Sequence, residues 1–119
     1  MRTFLFVWLA GAIVSFILHF FYPEIISNLS FWNKSLGWQR EIALWNLSIS
    51  LIIIYALIKR NIKFYKDILV MLVIISFVMG TNHLFELIIN RKIILTNLSG
   101  AVLNLVMALW GWFILKNGN

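Results

Sequence analysis

The order of hydrophobic and polar positions divides the chain into four apolar runs separated by short polar segments. The runs cover about residues 3–22, 39–58, 68–89 and 97–115. A helix of about 20 apolar residues is long enough to cross the roughly 30 Å hydrocarbon core of a bilayer, and short connections favour antiparallel neighbours. The pattern therefore predicts an all-α fold. We expect an integral membrane four-helix bundle, up-and-down and antiparallel, that forms a single transmembrane domain over residues 1–119.

The longest connection, residues 23–38, differs from the other polar segments. It begins with Pro23, which ends the first span because proline lacks a backbone donor. It then mixes aliphatic and aromatic side chains with polar ones, a composition typical of a segment that lies in the membrane interface with its indoles at headgroup level. An interfacial segment is the expectation, and a lid over the neighbouring polar groups is the alternative.

The composition agrees with a membrane protein, since 62% of the residues are hydrophobic and only 12% are charged. The chain has no cysteine, which excludes disulfides and thiolate metal sites. The net charge of +6 arises largely from Lys59, Arg60, Lys63 and Lys66, which the pattern places in one loop between spans. Such clustering is typical of a cytoplasmic loop and makes nucleic acid an implausible partner.

The basic residues also predict an orientation. One side of the four spans holds six of them and the other side holds four. The excess predicts a multi-pass protein of the bacterial inner membrane with both termini in the cytoplasm. The six are Arg2, Lys59, Arg60, Lys63, Lys66 and Lys116; the four are Lys34, Arg40, Arg91 and Lys92.

Polar and ionisable side chains within the spans are the candidates for function, because such groups are costly in hydrocarbon. In the antiparallel arrangement they gather in the outer third of the bilayer. We expect an outer-side polar pocket that binds a small molecule, a lipid or a quinone, in a non-enzymatic or accessory protein without a metal or haem. The predicted ligand-binding residues are Gln39, Arg40, Glu41, Asn46, Asn82, His83, Glu86 and Asn104.

Two further hypotheses use the same residues for chemistry. His83 and Glu86 are three positions apart on one helical face, a spacing that bundle proteins use for metal ligands, so a mononuclear zinc or iron site could be formed by His19, Glu41, His83 and Glu86. His19 and His83 could instead be the axial ligands of a haem. Either would make the protein a redox protein or a membrane enzyme.

A proton relay or transport subunit is the remaining hypothesis. Glu41, His83 and Glu86 would carry protons, but the inner half of the bundle has almost no polar groups to continue the path, as residues 51–54 show. A stripe of Asn97, Gly100 and Asn104 on the fourth span is interpreted mainly as a helix-packing face, because small residues let helices approach closely.

Three motifs resemble those of a family of small uncharacterised prokaryotic membrane proteins with four spans. They are GWQREIALWN at 37–46, GTNHLFELI at 80–88 and NLSGAVLNLV at 97–106. The carboxylate early in the second span more distantly resembles the DoxX-like group, some members of which are associated with quinone-linked redox complexes. The resemblance implies no activity. It implies importance for Gln39, Arg40, Glu41, Asn46, His83 and Asn104. Separately, we expect the lipid bilayer as a partner, together with either further copies of the chain or a membrane complex.

Overall fold

The computed structural model describes residues 1–31 and 35–118, and every regular element in this part of the chain is a helix. Residues 32–34 of the predicted interfacial segment lie outside the described residues. The four long helices are each apolar and long enough to cross a membrane, which confirms the predicted all-α membrane bundle. The helices are α1 (Arg2–Phe21), α2 (Pro23–Asn28), α3 (Leu36–Lys59), α4 (Ile62–Asn90) and α5 (Leu95–Asn117).

The first connection contains a short helix that the sequence did not predict. α1 ends at Phe21, and Pro23 then occupies the first turn of α2, where its missing N–H has no helical partner to lose. α3 follows after Ser35, whose hydroxyl accepts a hydrogen bond from the backbone N–H of Trp38. Such an N-cap satisfies one of the free donors at a helix start.

The connection between α3 and α4 corrects the predicted loop. Arg60 ends α3 in the left-handed conformation, with φ of 51°, and Asn61 caps α4 by accepting hydrogen bonds from the N–H groups of Lys63 and Phe64. α4 therefore begins at Ile62 and not near residue 68. The sequence pattern did not predict this helix start, because charged residues such as Lys63 and Lys66 are typical of loops. Tyr65, which lies between them, is nevertheless buried in the bundle.

Contacts between α4 and α5 show directly that these helices are antiparallel. A Cβ added at Gly80 would meet Leu105, one at Gly100 would meet His83, and one at Gly111 would meet Val73. As the position rises on one helix it falls on the other. Close approach at glycine is typical of helix packing in membranes, and here it joins α4 and α5 over several turns.

The remaining contacts complete the bundle. α1 packs on α3, and its first turns also reach α4 and α5. The indole N–H of Trp8 donates to the hydroxyl of Ser76 on α4 at 2.9 Å, and the ring of Phe4 meets Trp110 on α5 edge to face, with centroids 5.3 Å apart. The bundle measures 42 × 28 × 16 Å, so its long axis exceeds the thickness of the hydrocarbon core.

The main cluster of buried apolar side chains lies at one end of the bundle. We name this the basic end, because Arg2, the turn between α3 and α4, and Lys116 all lie there. The opposite end, where α1 and α4 finish and α3 and α5 begin, is named the polar end. The core consists of Phe4, Leu5, Ile49, Ile53, Ala56, Tyr65, Ile68, Leu69 and Leu72.

The outer surface of the helices is apolar over most of its length. Large side chains such as Leu109, Trp112 and Phe113 on α5 and Leu51 on α3 are more than half exposed. A surface of this kind is unfavourable in water and is compatible with contact to lipid. The four spans together describe a multi-pass membrane protein.

Candidate functional site

A hydrogen bond between His19 and Gln39 joins the end of α1 to the start of α3. The Nδ1 atom of His19 donates to the Oε1 atom of Gln39. His19 is half-buried, whereas Gln39 is 1% exposed and thus fully inside the bundle. Two side chains of the predicted polar cluster, His19 and Gln39, are therefore in contact.

His83 makes the corresponding contact between α4 and α5. Its imidazole lies against Gly100, so closely that a Cβ added at Gly100 would be 2.7 Å from both Cδ2 and Nε2 of the ring. A larger residue at this position would displace the imidazole, so glycine permits the close approach of the two helices. His83 is half-buried, and the Cδ2, Nε2 and Cε1 atoms of its ring are the ones nearest to Gly100.

Helical rise places these groups at similar depths. His19 follows Trp8 by three turns, about 16 Å, and His83 follows Ser76 by two turns, about 10 Å. Since Trp8 and Ser76 are hydrogen-bonded, His19 lies about 6 Å nearer the polar end than His83. Asn97 lies one turn beyond Gly100, about 4.5 Å nearer the polar end than His83. The His19–Gln39 pair and Asn97 therefore differ in depth by about 2 Å.

Two amide groups at this depth are buried with unused donors. The Nε2 atom of Gln39 and the Nδ2 atom of Asn97 are inaccessible and have no hydrogen-bond partner among residues 1–31 and 35–118. Each residue is 1% exposed. A buried donor without an acceptor costs about 1–3 kcal/mol, and most buried polar groups in native proteins are satisfied. The polar end thus contains two buried N–H donors that have no acceptor among the described residues.

The connection after α2 reaches across the polar end. The hydroxyl of Thr96, next to Asn97 on α5, donates to the backbone oxygen of Leu29, the residue after α2. α2 itself follows directly on α1. The chain therefore passes from the end of α1 to the first turn of α5 at the polar end of the bundle.

Other predicted ligand-binding residues lie on the surface or bond within their own helix. Arg40, Glu41 and Asn82 are exposed, and the guanidinium of Arg40 donates to the backbone oxygen of Leu36. Asn46, Glu86 and Asn104 are half-buried. Asn46 and Asn104 each donate to the backbone oxygen four residues earlier, and the carboxylate of Glu86 accepts from Asn90.

Asn97 was not among the predicted ligand-binding residues, because its stripe on the fourth span was interpreted mainly as packing. Its distinguishing property is burial at the start of a helix, where the first N–H groups also seek acceptors. The only available signal in the sequence was its spacing, three residues before Gly100 and seven before Asn104. Spacing alone does not distinguish a satisfied amide from an unsatisfied one.

The residues proposed as metal ligands do not form a cluster. Within the described ranges no group of three or more histidine, aspartate or glutamate side chains lies close enough together to hold a metal ion. His19 is engaged with Gln39, and Glu41 is exposed. The geometry therefore gives no support to the set of His19, Glu41, His83 and Glu86 as a metal centre.

The two grooves that stand out on the surface lie away from the polar end. One, of about 450 Å³, runs between α1 and α3 beside Arg60, and the other, of about 510 Å³, lies between Met1 and Lys66. Neither includes His19, Gln39, His83 or Asn97. The polar groups of the polar end therefore lie outside both grooves.

Comparison with known proteins identifies a family but no characterised relative. The model of a family of unknown function, DUF6790, matches residues 1–117. No curated protein and no solved structure matches the chain significantly. The family match agrees with the predicted uncharacterised family, whereas the more distant DoxX-like resemblance stays a prediction.

Proposed function

This chain belongs to the DUF6790 family of unknown function, and we propose that it is a membrane binding protein whose polar end holds a small amphipathic molecule through hydrogen-bond acceptor oxygens. A quinone and a lipid ester both have this chemistry, since each joins carbonyl oxygens to an apolar body. The proposed role is non-enzymatic or accessory. The observation that carries the proposal is the pair of buried amide donors of Gln39 and Asn97.

Acceptors are favoured over donors by the arrangement of the side chains. The oxygen of Gln39 is already occupied by His19, which leaves the amide nitrogen as the unused group. The amide nitrogen of Asn97 is the other unused donor, while its oxygen lies 3.5 Å from the hydroxyl oxygen of Thr96. A ligand whose acceptor oxygens satisfied these donors would recover part of their desolvation cost, about 1–3 kcal/mol for each.

The location favours a ligand that arrives from the bilayer. The donors lie about one turn from the ends of the helices, near the boundary between hydrocarbon and headgroups. The carbonyl groups of quinones and lipid esters occupy that region while their chains remain in the hydrocarbon. Residues 23–31, which are joined to α5 through Thr96, would cover the bound group.

We also propose the membrane and orientation that accompany this function. The excess of basic residues supports a bacterial inner membrane with the basic end on its cytoplasmic side. The polar end then faces the outer leaflet. Its ligand would be taken up from that leaflet.

The test uses purified protein titrated with a short-chain quinone and, separately, with a monoacylglycerol of matched chain length. Thermal stability and native mass spectrometry report binding. We expect one molecule per chain and a rise in melting temperature, because a ligand at 100 times its Kd stabilises the folded state by about 2.7 kcal/mol. A response to one probe alone identifies the source of the acceptor.

Two variants of the same type on α5 serve as test and control. Asn97→Leu removes a buried donor at the polar end, whereas Asn117→Leu changes an exposed asparagine at the basic end. We expect the first to abolish binding and the second to retain it. Failure of both probes to bind, or equal binding by the two variants, would contradict the proposal.

A further inference from the structure

The opposite end of the bundle carries a second feature, a groove that combines an apolar floor with a cation at its mouth. The groove between α1 and α3 has a volume of about 450 Å³ and is lined by Phe6, Leu9, Ile54, Leu57, Ile58 and Arg60. Ile54 lies six residues before Arg60, so the apolar part continues about 9 Å along α3. Arg60 alone among these residues is charged.

The distribution of charge separates this end from the other. Of the four acidic residues, only Asp67 belongs to the basic end, while six of the ten basic residues lie there. On the far side of the same turn, Lys63 and Lys66 line the second groove beside Met1 and Ile62. The turn between α3 and α4 therefore presents cations toward two apolar grooves.

We propose that this groove is a binding site for one anionic phospholipid, with the phosphate on Arg60 and an acyl chain along Leu57, Ile54 and Leu9. Guanidinium groups bind phosphate oxygens in a bidentate manner, and basic pockets beside membrane helices recognise anionic headgroups. The groove supplies the apolar contact that a bare cluster of lysines lacks. This site is independent of the proposed function at the polar end.

The charge complementarity argues for a phospholipid and against a neutral lipid. A neutral lipid would use the apolar floor equally well but would leave Arg60 without an anionic partner. A soluble anion would use Arg60 and leave the apolar floor unused. Only a molecule with both parts fits the groove from Leu9 to Arg60.

The chain contains a matched control for this site. Arg60 and Arg91 both end a helix in the left-handed conformation, with φ of 51° and 48°, and they lie at opposite ends of the bundle. Glycine is favoured at such positions, so Arg60→Gly and Arg91→Gly each remove one positive charge without straining the backbone. The two variants differ only in which end loses the charge.

The experiment is native mass spectrometry of the protein released from detergent that contains equimolar phosphatidylglycerol and phosphatidylcholine. We expect wild type to retain phosphatidylglycerol preferentially. Arg60→Gly should lower its retention about five-fold, since one basic residue near the surface contributes about that much. Arg91→Gly should match wild type, and Arg60→Lys should retain only part of the preference because it keeps the charge but not the bidentate geometry.

Further variants keep the result decisive. If Arg60→Gly does not fold, Arg60→Asn provides the same test, because asparagine also tolerates a left-handed conformation. Ile54→Trp fills the groove while keeping Arg60, and it should also lower retention of phosphatidylglycerol. Equal losses in Arg60→Gly and Arg91→Gly, no loss in Arg60→Gly, or unchanged retention in Ile54→Trp would overturn the proposal.

Discussion

The two ends of this bundle are built from the same four long helices but differ in what fills the interior. At the basic end the interior is apolar, and Phe4, Leu69 and Leu72 are completely buried. At the polar end the helices meet through an imidazole–amide bond, a histidine against a glycine, and two amides with unused donors. One end is optimised for packing, whereas the other retains groups whose burial costs free energy. This contrast is the basis of the binding function that we propose for the polar end.

Removing core volume at the basic end should have the largest effect on stability. Leu69→Ala removes a side chain that is 0% exposed, and we expect a loss of about 2–4 kcal/mol in the free energy of unfolding, mainly through lost packing. Reversible unfolding in mixed micelles measures this change. The matched control is Leu109→Ala, because Leu109 is 70% exposed and should change stability by less than about 0.5 kcal/mol. Equal losses in the two variants would show that the basic end is not the stabilising core.

The same type of measurement should give the opposite sign at the polar end. Asn97→Leu replaces a buried amide by an apolar side chain of the same branched shape and heavy-atom number, so the ligand-free protein should gain about 1–3 kcal/mol. Asn117→Leu, at an exposed position where the amide bonds its own helix, should be nearly neutral. A loss of stability in Asn97→Leu would mean that this amide is already satisfied, and the contrast between the ends would disappear.

The predictable part of this structure is the part that depends on local pattern. Apolar runs of sufficient length are enough to predict the four spans, and antiparallel neighbours then bring His19, Gln39, His83 and Asn97 to one end. The rotation of each helix about its axis is set by packing between helices. For this reason the sequence could not show that Glu41 is exposed while Gln39, two residues earlier, is buried.

Helix boundaries near charged residues also could not be predicted from the sequence. Lys63 and Lys66 are charged residues of the kind found in loops. Only the cap by Asn61 and the burial of Tyr65 show that α4 has already begun at these positions. The contact between Thr96 and Leu29 joins residues far apart in the chain. No local pattern predicts a contact of that kind.

Displacing His83 should separate binding from folding. In Gly100→Ala the new Cβ would lie 2.7 Å from the imidazole, so the ring must move, and we expect a net loss of about 1 kcal/mol because the better helix propensity of alanine offsets part of the strain. The free energy of binding of the quinone or ester probe should decrease by much more than the free energy of unfolding. Gly11→Ala, where nothing lies within 4 Å of an added Cβ, should leave binding unchanged. Normal binding by Gly100→Ala would exclude His83 from the site.

The smallest effect is expected at the boundary between the two ends. Trp8 on α1 and Ser76 on α4 form a hydrogen bond at this boundary. A double-mutant cycle with Trp8→Phe and Ser76→Ala should give a coupling free energy of about 0.6 kcal/mol, as is usual for polar pairs between membrane helices. The four free energies of unfolding supply the value. A coupling near zero would remove the contact used to compare the depths of α1 and α4.

The central claim is that the buried amide donors of Gln39 and Asn97 form hydrogen bonds to an acceptor of the ligand. Their side-chain NMR signals test this claim most directly. Protein labelled with ¹⁵N at asparagine and glutamine is measured before and after addition of the quinone or ester probe. The account predicts that the Asn97 and Gln39 amide proton signals shift downfield on binding, as they do when an acceptor is gained, while the Asn117 signal stays in place. Signals of Gln39 and Asn97 that are unchanged at saturating probe would contradict it.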